Sequence, residues 1–259
     1  MFADVALNAP LRAGDRAFTF AVPEALAPVI AVGLPVRVPF GRQAATGFVV
    51  SLREESPRQA RALSGIDERV PPLPQDLIAL ASWMADYYVC SVGEALWAMI
   101  PPIAAAGRKR AAAGDAAEPV HAAAPADPGG EASLGVAAML EREGARIALL
   151  ADAERFTGYR DALRWLERQD RDAIFLVPEV VQAEALAAWI ARHSALPYAV
   201  LHGGIADAVR WRLFRRILGG EVRIVVGTRS AVFAPVRRLG LIVIDHEEDA
   251  SYKEERSPR

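Results

Sequence analysis

The chain has 259 residues, a formal net charge of −2 and 53% hydrophobic residues. That supports one large core or two modest ones and excludes a global basic field that would draw the whole chain to nucleic acid or a membrane. One cysteine, Cys90, and four histidines exclude a disulfide and a cysteine-rich zinc site, while the absence of a basic leader or a long apolar run predicts neither a signal peptide nor a membrane span and fits a cytoplasmic protein.

Residues 1 to about 70 read as β. Phe18 to Val22 and Val36 to Phe40 alternate apolar and polar or small residues, and Gly47 to Leu52 is rich in β-branched and aromatic residues. Gly33, Pro35, Gly41 and Gly47 punctuate these runs, as turns and tight corners require, which predicts a small barrel or curled sheet. The period then changes. Leu73, Leu77, Leu80, Met84 and Tyr87 share one face of a predicted helix. Ser91 and Glu94 have capping-box spacing and should open a second helix, which Pro101-Pro102 ends. These elements define a first domain over 1–105. Residues 106–134 are Ala, Pro, Gly and Asp around Arg108-Lys109-Arg110 and are expected to form a flexible linker.

From 135 to 259 the pattern is strand, helix, strand, repeated. Candidate strands are Arg146–Leu150, Ala173–Val177, Tyr198–Leu201, Val222–Val226 and Leu239–Ile244, with helical patterns over 180–193 and 206–218. Short continuous apolar strands are those of a parallel sheet covered by helices on both faces. Ligands bind such sheets at the carboxyl ends of the strands. Two segments in that position carry polar chemistry: Gly227-Thr228-Arg229-Ser230-Ala231, and Asp245-His246-Glu247-Glu248 followed by Ser251-Tyr252-Lys253. An acid just past a buried strand is where nucleotide-hydrolysing folds hold magnesium.

In these two segments the chain resembles the primosomal protein N′ family of superfamily 2 replication-restart helicases. Leu176-Val177-Pro178-Glu179 and Leu201-His202-Gly203-Gly204 match two further family positions, and Phe18-Thr19-Phe20, Val36 to Gly41, Tyr87-Tyr88 and Gly93-Glu94 match its N-terminal domain. The resemblance implies an α/β fold: a RecA-like parallel-sheet helicase lobe over 135–259, preceded by a small β-rich domain that binds DNA 3′ ends. It implies DNA-binding residues Phe18, Thr19, Gly33, Arg37, Thr228 and Arg229. It also implies a second helicase lobe, expected to be absent from this chain. Phe18 has an alternative role in the core, Gly33 in a turn and Arg37 as a solvated strand residue.

The departures bear on ATP and magnesium, the family's ligands. The resemblance places a Gly-Lys-Thr phosphate loop after the first strand of the lobe, where this chain reads Ala151-Asp152-Ala153-Glu154-Arg155-Phe156-Thr157-Gly158-Tyr159. Gly158 then stands at the lysine position and Tyr159 at the threonine. Asp152 and Glu154 repel an anion, and the guanidinium of Arg155 is no replacement for a lysine point charge. The acidic motif reads Asp-His-Glu-Glu in place of Asp-Glu-Glu-His, which leaves Asp245 and Glu247 as a remnant. Thr19 replaces an acid that resembles a contact to the terminal 3′-hydroxyl. The reading that results is a DNA-binding replication-restart protein of stalled forks and 3′ ends, partnered by primosome proteins, with no ATP hydrolysis, no resident metal and no membrane. An ATP-dependent 3′-to-5′ helicase with its second lobe elsewhere, and a protein scaffold without DNA binding, are the alternatives.

Overall fold

A computed structural model describes residues 1–7, 17–55, 60–101, 134–142, 144, 147 and 154–253. They fall into two compact units, one within Met1–Ala112 and the other within Ala113–Lys253. The expected linker lies, except for Leu134, outside the described residues.

In the first unit the strands are β1 (Phe2–Leu7), β2 (Phe18–Ala21), β3 (Pro35–Phe40), β4 (Gln43–Arg53) and β5 (Gly65–Ile66), in the antiparallel order β2-β1-β4-β3-β5. Alternation sets the core: Ala3, Val5 and Leu7 of β1 face Phe20, Val36, Val38 and Val49. The sheet curls until its edges meet. Ala21 at one edge donates its N–H to Arg61 O (2.9 Å) and accepts from Leu63 N (3.0 Å), a few residues before β5 at the other edge. This realises the curled sheet read from the glycine-punctuated runs. β1 itself has no counterpart among the predicted strands.

Two helices follow, α1 (Gln75–Tyr88) and α2 (Val92–Met99). The buried residues of α1 are Leu77, Ile78, Ala81 and Ala85. The predicted stripe is therefore rotated, and Tyr87, expected on the same face as Leu77, is 67% exposed. The stripe was read from large residues, whereas the packed face uses two alanines where α1 meets α2. The capping box opens α2: Ser91 Oγ accepts from Glu94 N (3.1 Å), and Glu94 Oε2 accepts from Ser91 N (2.9 Å). Trp97 of α2 packs edge-to-face on Phe48 of β4, with centroids 5.2 Å apart.

In the second unit, helices α3 (Leu134–Leu140), α4 (Arg155–Arg168), α5 (Val180–His193) and α6 (Asp207–Gly219) accompany strands β6 (Asp172–Leu176), β7 (Tyr198–Leu201), β8 (Ile224–Gly227) and β9 (Leu239–Ile244). The described sheet is parallel, in the order β7-β8-β6-β9. One core cluster joins α4 and α5 to one face of the sheet, and another joins α6 to the opposite face. This is the parallel α/β layering expected from the continuous apolar strands. The candidate strand Arg146–Leu150 lies, apart from Ile147, outside the described residues. No helix among the described residues is long and apolar enough to cross a membrane.

Candidate functional site

In the first unit, the four predicted DNA-binding positions occupy distinct environments. Phe18 starts β2, half-buried against the core and edge-to-face with Phe40 (5.5 Å). Gly33 has φ +89°, and a Cβ there would lie 2.1 Å from Leu73 O. Its N–H donates to Val49 O (2.8 Å) and its carbonyl accepts from Leu73 N (2.9 Å), so this glycine fastens the segment ahead of α1 to the sheet. Arg37 is exposed between buried Val36 and Val38.

Thr19 stands directly opposite Asp4 in the β1–β2 register. Its hydroxyl donates to Asp4 Oδ1 (2.7 Å), Ser51 Oγ donates to Asp4 Oδ2 (2.6 Å), and Arg53 makes an ion pair with the same carboxylate. Burial alone would raise the Asp4 pKa, but the hydrogen bonds from Ser51, Thr19 and Arg53 together hold it below the usual carboxylate range. The sequence reading missed Asp4. Its signal was there: a single acid inside the apolar run Phe2–Leu7 has to find partners when buried.

In the second unit, hydrogen bonds between neighbouring strand ends align the carboxyl edge of the sheet: Val177 N donates to Gly227 O and Asp245 N to Leu176 O, both at 2.9 Å. This edge presents Thr228 and Arg229 after β8, and Asp245 after β9. Thr228 O accepts from Ala231 N (2.7 Å) and caps the one-turn 3₁₀ segment Arg229–Phe233. Glu247 is exposed.

Arg155 and Gly158 lie within α4, where the sequence comparison expected a phosphate loop. Gly158 is a buried residue in the first turn of this helix; Asp152 lies outside the described residues. Arg155 Nη1 is 3.2 Å from Asp245 Oδ1 and 2.6 Å from His246 Nε2. Arginine has no acceptor, so Nε2 accepts and the imidazole proton sits on Nδ1. Tyr159, one turn along α4, is buried; burial first, then the nearby Asp245 carboxylate, push its pKa far above the ordinary phenol range. Tyr252 Oη donates to Asp245 O (2.8 Å). His246 turns through φ +49°, a left-handed conformation uncommon for a residue with a Cβ.

Residues 4–101 match a family model described as the PriA 3′ DNA-binding domain. The chain is 30% identical over 263 aligned residues to the replication restart protein PriA of Treponema pallidum, covering 95% of this chain and 38% of that protein. It is 30% identical over 261 residues to the probable replication restart protein PriA of Mycobacterium tuberculosis, covering 94% and 38%. With PriA of Bacillus subtilis it shares 37% identity over 101 residues, 39% of this chain and 12% of that one. The chain belongs to the PriA family. It spans about 38% of the length of the longest-matched PriA relatives. The domain match coincides with the curled sheet and its two helices, and the longer PriA alignments run on through the parallel sheet.

Proposed function

We propose that this chain binds DNA at stalled replication forks, reading 3′ ends through its first unit, and supports restart without hydrolysing ATP. The observation that carries this is the match of residues 4–101 to a 3′ DNA-binding domain; the exposure of Arg37 on that unit supports it. Thr228 and Arg229, at the carboxyl edge of the parallel sheet, are proposed to add backbone contacts to DNA. Function then rests on binding: the chain holds the fork and presents it to primosome proteins, with no requirement for zinc, magnesium or nucleotide. The replacements at Gly158, Tyr159 and His246 support the absence of turnover.

Fluorescence anisotropy with forked DNA tests this, comparing a free and a blocked 3′-hydroxyl on the leading-strand end. Tight binding that weakens on blocking is expected. Binding that ignores the end would reduce the reading to general DNA binding, and no binding at low salt would favour a protein scaffold, as a net charge of −2 allows. DNA-stimulated ATP turnover would replace the reading by that of a helicase.

A further inference from the structure

We infer that Arg155 takes the place of a divalent cation at Asp245, so that this edge of the sheet is a closed, metal-free clasp between α4 and the turn after β9. The inference deepens the reading of a chain without ATP turnover. Magnesium needs nearly octahedral oxygen ligands at about 2.0–2.1 Å. Here Asp245 Oδ1 already faces a guanidinium nitrogen at 3.2 Å, and a second cation on that oxygen would meet like charge at close range. Buried Tyr159 lies on the same helix one turn on from Arg155, and Tyr252 Oη donates to the Asp245 backbone carbonyl (2.8 Å), which fixes the turn that carries the carboxylate. His246, at the position of the family's second acid, offers a nitrogen that accepts from Arg155. It supplies no charge to attract a metal.

The clasp also accounts for the backbone of His246. Left-handed φ at a histidine is strained and persists where contacts enforce it. The Arg155 contact and the Asp249 N–H donating to His246 O (2.9 Å) do so here. The pair joins residues 90 apart in sequence and ties the first turn of α4 to the post-β9 turn.

Thermal melts of the full chain test this, with Arg155→Met, Asp245→Asn and the double variant. Each single substitution should lower Tm by roughly 4 °C or more, and the double variant should fall by less than their sum. Millimolar magnesium with a non-hydrolysable ATP analogue should leave the wild-type Tm unchanged. An open metal site behaves in the opposite way: Asp245→Asn leaves Tm unchanged or raises it, and the magnesium nucleotide raises the wild-type Tm. Either result overturns the clasp. Titration calorimetry of manganese into the wild-type chain decides the matter if the variants do not fold; saturable binding that competes with magnesium overturns it. Nucleotide binding without turnover would sink only the clasp, whereas turnover would also sink the reading it deepens.

Discussion

The hydroxyl of Thr19 on β2 donates to the buried carboxylate of Asp4 directly across the strand pair, at 2.7 Å. An acid thus lies on the strand beside position 19, surrounded by Thr19, Ser51 and Arg53. Restoring an acid at 19 would set two carboxylates against each other, and one would have to take up a proton or move away. Thr19→Asp should therefore destabilise the chain by about 2 kcal/mol at neutral pH. Combining it with Asp4→Asn should recover most of the loss, as urea melts of the two variants would show.

Asp67 gives the first unit a defined acid sensitivity. It is 2% exposed, and Arg69 donates to both its oxygens (2.7 and 2.6 Å), with Thr46 Oγ1 at 2.6 Å. The Arg69 hydrogen bonds, opposed by burial and assisted by Thr46, lower its pKa to about 2. The folded value lies below the unfolded one, so this stability is present above about pH 4 and is lost as pH falls toward 2. Its size is about 2 kcal/mol. Asp67→Asn should flatten the fall in Tm across that window, although at neutral pH the variant is itself less stable.

Gly33 tests whether a family position acts through DNA or through the fold. A Cβ at this site collides with Leu73 O at 2.1 Å, on a backbone at φ +89°. Gly33→Ala should lower stability by about 2 kcal/mol and weaken DNA binding only in proportion to the fraction unfolded. A variant with unchanged Tm and lost DNA binding would give Gly33 a direct contact instead.

These positions show what sequence can reveal. Period and punctuation gave α5, β7, β9 and the α2 cap, because each is set by local chemistry: apolar runs, a serine–glutamate pair, a proline stop. The pairings that shape the candidate site are not local. Thr19–Asp4 spans 15 residues and Arg155–Asp245 spans 90, and neither follows from spacing. The helix runs from Arg155, so the loop-to-helix junction that a phosphate loop requires falls at residues 151–154, most of them outside the described residues. The segment from Arg155 to Arg168 contains good helix formers such as Arg, Leu, Ala and Glu, which outweigh its one glycine.

In the second unit, Arg223 is the side chain whose loss should cost most. Its Nε donates to Asp172 (2.7 Å), which is 1% exposed, and its Nη2 reaches the carbonyls of Leu166 (3.2 Å), Gln169 (3.0 Å) and Arg171. Asp172 also accepts from Arg238 N (3.0 Å), so α4, β6 and the entry to β9 converge on one carboxylate. Arg223→Met keeps much of the stem but strands the buried charge, a change of about 3–5 kcal/mol. Asp172→Asn with Arg223→Met should be milder than Arg223→Met alone, as a thermal double-mutant cycle would measure.

Arg37 carries the prediction closest to function. It is exposed on β3 between core valines, and its guanidinium lies over Gly65, where a Cβ would come within 3.3 Å of Nη2. Truncating an exposed strand residue of this kind should leave stability within about 0.5 kcal/mol of wild type. If Arg37 neutralises a phosphate, Arg37→Ala weakens binding to all fork sequences alike and lowers the slope of log K against log salt by about 1. An unchanged slope with unchanged affinity would return Arg37 to a solvated strand position and leave end recognition to the rest of the first unit.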